Sequence, residues 1–343
     1  MSQKSDTSGS DPVLSPGPSG GAGDSQASGS GGEAAATAGQ PAETSERAAD
    51  QPAQPRRADL ASAGATAVGG SRLDRWMAEN PWHVRFAPFM AYIVLLAITG
   101  MVRDLADWAF IPAYIAQCGI TAWLLWRYRR LIPEMNLRFH WSALPVGVAV
   151  CAAWVGLGYL MIDIGPESFA DPGYIYTERL GPALGWSALA LRLLGMSIVV
   201  PLFEEVFHRS LTLRSFSHPR WTAIGAVNLL QDLPLIDEVV RERDLARRAG
   251  RHMNVFAQRF HATPLGRLTV FGVAASTAVF CLAHAPRDWP ACIVCGVAYC
   301  LLVGYTNNPR RRLGLGPVIW AHGITNALLW AYAVYADAWY FLP

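Results

Sequence analysis

Charge is scarce in this sequence. Of its 343 residues 16% are Asp, Glu, Lys or Arg and 52% are hydrophobic, against about 25% charged in an average soluble domain. Other absences narrow the reading further. No basic patch with interleaved aromatics is present, so no nucleic-acid partner is expected. No internal repeat is visible, which disfavours a secondary transporter built from paired halves. The six cysteines, Cys118, Cys151, Cys281, Cys292, Cys295 and Cys300, all lie in apolar segments, where a thiol acts as a small hydrophobe and no disulfide framework is expected. Cys292 and Cys295 form one C-x-x-C without a second, too little for a metal site. There is no His-Glu-x-x-His to argue for zinc.

Large apolar side chains are also nearly missing up to about Gly70. That stretch of Ser, Gly, Ala, Pro and Gln cannot bury enough surface to offset its ordering entropy, so 1–70 is expected to be a disordered tail. It has no apolar h-region, so a secretory signal is not expected there. The remainder, 71–343, is expected to form one membrane-embedded domain.

That remainder is organised as apolar runs. Ser71 to Arg85 reads as a short amphipathic linker whose Trp and Arg suit a membrane interface. Seven spans follow, near Phe86–Val102, Trp108–Trp126, Trp141–Ile162, Pro182–Phe216, Leu268–Pro286, Pro290–Tyr305 and Pro317–Tyr335. The fold class is thus all-α, a polytopic transmembrane bundle of about seven spans. A polar insertion, 217–267, separates the fourth and fifth. Within it the apolar spacing predicts a helix over Leu235–Phe260 lying on the membrane surface. The distribution of arginines places the N-terminus and this insertion on the cytoplasmic side.

Inside the fourth run sits Phe203-Glu204-Glu205-Val206-Phe207-His208-Arg209. A charge at a bilayer centre costs roughly 2.5 to 3.5 kcal/mol, so such groups are functional by default. Glu204 lies about 18 Å along the helix from Arg192 at 1.5 Å per residue, near mid-bilayer. Pro201 should leave the carbonyl of Ser197 without its helical partner. Glu205 and Arg209, four apart, share a face and are expected to neutralise each other, which frees Glu204. His208, also four from Glu204, could touch it or merely pack against a neighbouring helix. Two further intramembrane groups complete the set: His284 in Phe280-Cys281-Leu282-Ala283-His284, and His322 with Asn326 in the last span. A carboxylate base, imidazoles and an amide donor suit the activation of water and the stabilisation of an oxyanion. His284 counts about 25 Å from Arg267, too deep to meet Glu204 unless its span starts later or turns back.

These segments match Glu-Glu-x-x-x-Arg, Phe-x-x-x-His and His-x-x-x-Asn in order. The chain therefore resembles the CPBP family of intramembrane proteases, which includes the type II CAAX prenyl endopeptidases, and most resembles a bacterial CAAX-protease-related branch. The resemblance implies an endopeptidase acting on a membrane-associated peptide or protein, lipidated or not, in a bacterial cytoplasmic membrane. By position it implies that Glu204 activates water with His284, that Glu205 and Arg209 support it, and that His322 and Asn326 stabilise the oxyanion. The family has long been described as metal-dependent, yet the glutamate mechanism needs no metal; the expectation is no cofactor, with zinc as the alternative. The chain departs from the commonest motif at His208, where an aromatic precedes the arginine, and at Ser210, where a glycine follows it. A non-catalytic membrane scaffold, or an immunity-type protein that binds a peptide through the same cluster, is the competing reading.

Overall fold

The computed structural model describes residues 70–171, 173–218 and 255–342. The expected disordered tail up to 69 and most of the polar insertion lie outside the described residues. Of the helix expected over Leu235–Phe260, only the part from Val255 is described, within a helix Val255–Ala262.

Every regular element among the described residues is a helix. In chain order the helices are α1 (Arg72–Glu79), α2 (His83–Leu105), α3 (Phe110–Tyr128), α4 (Ala143–Ile164), α5 (Tyr176–Phe216), α6 (Val255–Ala262), α7 (Val270–Leu282), α8 (Trp289–Thr306) and α9 (Gly316–Tyr335). Five of them, α2, α3, α4, α5 and α8, are long and apolar enough to cross a membrane. The other two expected spans are α7, with only 13 residues, and α9, whose 20 residues contain His322, Thr325 and Asn326.

The stretch read as a linker folds as α1. Ser71 closes a capping box: its Oγ accepts the Asp74 N–H at 3.1 Å, and Asp74 Oδ2 accepts the Ser71 N–H at 3.3 Å. Asp74 also accepts from Arg127 and from the Tyr128 hydroxyl, both at 3.0 Å. The short helix is thereby pinned to the end of α3.

The depth conflict at His284 resolves at both ends of α7. The helix starts at Val270, capped by Thr269 Oγ1, which accepts the Gly272 N–H at 2.9 Å. It stops at Leu282, after about 20 Å of rise. A tight turn follows, with Ala283 N–H bonded to Phe280 O and His284 N–H to Cys281 O. His284 thus sits on the turn leaving α7.

Helix α9 packs between α4, α5 and α8, and two glycines permit its approach. A Cβ on Gly147 of α4 would lie 2.7 Å from the carbonyl oxygen of Ala321, and one on Gly323 would lie 2.6 Å from that of Ser197. Small residues at such crossings let membrane helices come close enough for backbone contact.

At the end of the bundle where α3 leaves and α4 enters, Glu134 ties several elements together. Its Oε1 accepts from Arg85 Nη2 at 2.6 Å and Nε at 2.9 Å, and from the Ser210 hydroxyl. Arg214 Nη1 stands 3.7 Å away. Burial opposes ionisation of Glu134, but the Arg85 charge and the Ser210 hydroxyl outweigh it and hold the carboxyl below the ordinary 4.5.

Two outcomes follow for stability. Gly147→Ala should lower unfolding stability by about 1–3 kcal/mol, read as a lower Tm in detergent, because the clash is with backbone. Glu134→Gln should cost on the order of 2 kcal/mol. Because folding depresses this carboxyl's pKa, its contribution is complete above about pH 4.5 and is lost as pH falls through the lower folded value. A Tm profile in which wild type and Glu134→Gln converge in acid, and separate at neutral pH, is the expected result.

Candidate functional site

Helix α5 is not a regular α-helix where it carries the acidic pair. Gly195–Val199 and Val206–Thr212 are π-helical, and the intervening Val200–Glu205 is α-helical. Pro201 accounts for the first widening, since it offers no N–H to the preceding turn. In the π register the carbonyl that faces it is that of Met196, rather than Ser197. Asn326 Nδ2 donates to Met196 O at 2.7 Å, so a side chain from α9 supplies the missing donor. Turns of this kind recur at functional sites.

Glu205 is fully buried and is shared. Arg209 Nε lies 3.3 Å from its Oε2, and His322 Nδ1 lies 2.8 Å from its Oε1. The expected Glu205–Arg209 pair is present, but the contact is an ion pair without good hydrogen-bond alignment. Arg209 gains further support from Ser276 Oγ, which accepts from its Nη1 at 3.2 Å and donates to the carbonyl of His208 at 2.9 Å. Its guanidinium also stands 5.5 Å from the Phe280 ring centre and 5.8 Å from that of Tyr299, within cation–π range.

Glu204 points elsewhere. Its Oε2 is buried with no hydrogen-bond partner among the described residues, and His322 Nε2 stands 4.0 Å from it. His322 therefore lies between the two carboxylates, held at Nδ1 by Glu205 and presenting Nε2 toward Glu204. The Tyr299 ring packs beside it at 5.4 Å, and the Tyr299 hydroxyl donates to Thr325 Oγ1 at 2.8 Å. His284 lies within electrostatic reach of Glu204. Its Nδ1 is 2.9 Å from Phe280 O, and its ring packs on Phe280 and Trp154.

The structure brings Glu204, Glu205, Arg209, His284 and His322 to one locus. Asn326 is on the same helix as His322 but not on a common acceptor: one amide hydrogen is committed to Met196, about one turn from the imidazole. His208 does not touch Glu204. It is buried in an aromatic box, edge-on to Phe89 at 5.6 Å and to Phe280 at 5.1 Å, with neither ring nitrogen hydrogen-bonded. Sequence reasoning missed Ser276, Tyr299 and Thr325. The only signal was their polarity inside apolar runs. All six cysteines are free, and among the described residues no three His, Cys, Asp or Glu side chains group as metal ligands.

Apolar helices around a buried acid, base and guanidinium define an integral membrane protein with an internal polar site. A family model described as Type II CAAX prenyl endopeptidase Rce1-like matches residues 250–328. Over that part of the chain it is similar to the type II CAAX prenyl endopeptidases, a likeness that supports the CPBP/CAAX protease family. The matched stretch contains His284, His322 and Asn326, and the Glu204–Arg209 segment lies before it. Comparison with curated proteins and with solved structures gives no significant match.

Removing the guanidinium would leave Glu205 buried without its cation. Arg209→Met should therefore destabilise by about 3–5 kcal/mol. The double variant Glu205→Gln/Arg209→Met should recover part of that loss. Thermal unfolding of the two variants beside wild type measures the difference.

Proposed function

We propose that the protein is an intramembrane endopeptidase in which Glu204 is the general base. The likeness to a protease family supports the reaction class, hydrolysis of a peptide bond. The observation that supports these residues most directly is the unpartnered, buried Oε2 of Glu204 beside an imidazole that Glu205 fixes in place.

In this reading Glu204 takes a proton from a water molecule as the water oxygen attacks the scissile carbonyl carbon. The carbonyl π pair moves onto oxygen. Collapse of the tetrahedral intermediate restores the carbonyl and expels the amine, which takes the proton held by Glu204. His284 positions the water from the α7 turn. His322, held at Nδ1 by Glu205, presents Nε2 toward the developing oxyanion. Glu205 stays paired with Arg209 within the membrane. Asn326 contributes by holding α9 against the widened turn of α5, and its second amide hydrogen remains free for the oxyanion. No step is routed through a metal.

The substrate is a membrane-associated peptide or protein. The apolar groove between α7 and α8, about 890 Å³ and lined by Val273, Leu282, Trp289 and Ile293 among others, would accept an acyl or isoprenoid chain on that substrate; its Trp289 donates the indole N–H to the His284 carbonyl at 3.3 Å. The arginine distribution supports a cytoplasmic N-terminus, and the resemblance to the bacterial branch supports a bacterial membrane.

Glu204→Gln should lower the cleavage rate by about 10²–10⁴-fold, the range for loss of a general base. Comparison of peptide termini in membranes carrying wild type or Glu204→Gln identifies the substrate at the same time. Termini that do not differ, together with peptide binding that the variant weakens, would favour the non-catalytic scaffold instead. Cleavage by purified protein that survives a strong chelator separates the glutamate route from a zinc one.

A further inference from the structure

The cavity at the end of the bundle bounded by Glu134 has no place in the proteolytic reading. It measures about 1290 Å³, above the range of about 300–1,000 Å³ usual for small-molecule sites. It is lined by Arg85, Arg138, Arg214, Arg267 and Arg312, with Glu134 as the one carboxylate among the described residues that line it. Arg85 and Arg214 are engaged with Glu134. Arg138, Arg267 and Arg312 are exposed and make no side-chain hydrogen bond or ion pair among the described residues.

Two further features bear on what this lining can hold. Arg312 adopts φ 45°, in the left-handed region that an L side chain enters at a cost, and such outliers gather at functional sites. Every cation there is an arginine, and the whole sequence has one lysine, Lys4. Guanidinium groups present fixed forks of donors that match phosphate oxygens, whereas an ammonium acts as a point charge. The three unpaired arginines come from three separate places, the α3–α4 connection, the entry to α7 and the α8–α9 loop. A ligand that satisfied them together would need at least three acceptor oxygens and more than one negative charge.

We propose that this cavity is a binding site for a multiply charged, phosphate-bearing anion, either a lipid headgroup or a soluble phosphate compound. Basic pockets between membrane helices take anionic headgroups by the same chemistry. The site lies at the arginine-rich end of the bundle. Arg214 is ten residues from Glu204 along α5, about 15 Å by helical rise, so the ligand is distinct from the substrate's reacting bond.

The test uses the full-length protein in phosphatidylcholine nanodiscs, with two probes: inorganic pyrophosphate added in solution, and cardiolipin included in the bilayer. Saturable stabilisation by one or both is expected, and which probe succeeds identifies the source. Arg267→Gln and Arg312→Gly should each weaken that binding by about tenfold, the equivalent of one charge-assisted hydrogen bond. Arg312→Gly also removes the strained φ, so it should bind less well while unfolding no more easily than wild type. Arg138→Gln serves as the third variant should either of these fail to fold. Absence of saturable binding with both probes, or variants that bind as tightly as wild type, would overturn the proposal.

Discussion

Glu205 is the group on which the rest of the site depends. A carboxylate at zero exposure in an apolar bundle cannot be left alone, because its desolvation is recovered only through close opposite charge and hydrogen bonds. It finds both by dividing its oxygens, one toward Arg209 on its own helix and one toward His322 on α9. The same division fixes the imidazole ring, since a histidine bonded through Nδ1 must present Nε2 on the other side. That second nitrogen faces Glu204. Burial of one carboxylate thus orients the partner of the next. The Arg209 guanidinium in turn needs Ser276, Phe280 and Tyr299 around it, which is why α7 and α8 close over α5 at this height.

A backbone constraint acts alongside the electrostatic one. Pro201 interrupts the hydrogen-bond ladder one turn before Glu204, and in a bilayer an unsatisfied carbonyl must find a donor from the protein. Asn326 is that donor. Its reach requires α9 to lie against α5 at backbone distance, and Gly323 allows this, because any larger residue would meet the carbonyl of Ser197. His322, Gly323 and Asn326 therefore form one device: the glycine sets the distance, the amide mends the helix and the imidazole meets the acid.

Much of the fold could be read from the residues because span length and apolar runs report directly on the bilayer. The intramembrane polar groups were legible for the same reason: in an apolar run each one is an exception. The relations between them were not. The Glu205–His322 contact joins residues 117 apart, and the Arg209–Ser276 contact residues 67 apart; helical periodicity says nothing about such pairs. The Glu205–Arg209 pair was anticipated because it lies within one turn. The shift of the orphaned carbonyl from Ser197 to Met196 depends on a π register that no residue pattern announces, whereas the proline that provokes it is plain. His208, four positions from Glu204 on an ideal helix, faces Phe89 and Phe280 instead, and π-helical widening at Val206–Thr212 is what turns it away.

Ser210 shows how a departure from a familiar motif can carry structural meaning. It directly follows Arg209, and its hydroxyl donates to Glu134 while lying 2.9 Å from Arg85 Nε. A glycine at this position would have no hydroxyl, and Glu134 and Arg85 would then be tied to α5 only through Arg214, whose Nη1 stands 3.7 Å from Glu134. With serine, the helix that carries Glu204 and Glu205 is bonded at the next residue beyond Arg209 to the ion-paired wall of the basic cavity. Glu134 is the only carboxylate in that wall among the described residues, so an anion entering it competes for Arg85 and Arg214 with the group that also holds Ser210. Electrostatics at the bundle's end and geometry at its centre are joined on α5 through the Ser210 hydroxyl and the Arg214 guanidinium, by a path of direct contacts rather than by distance alone.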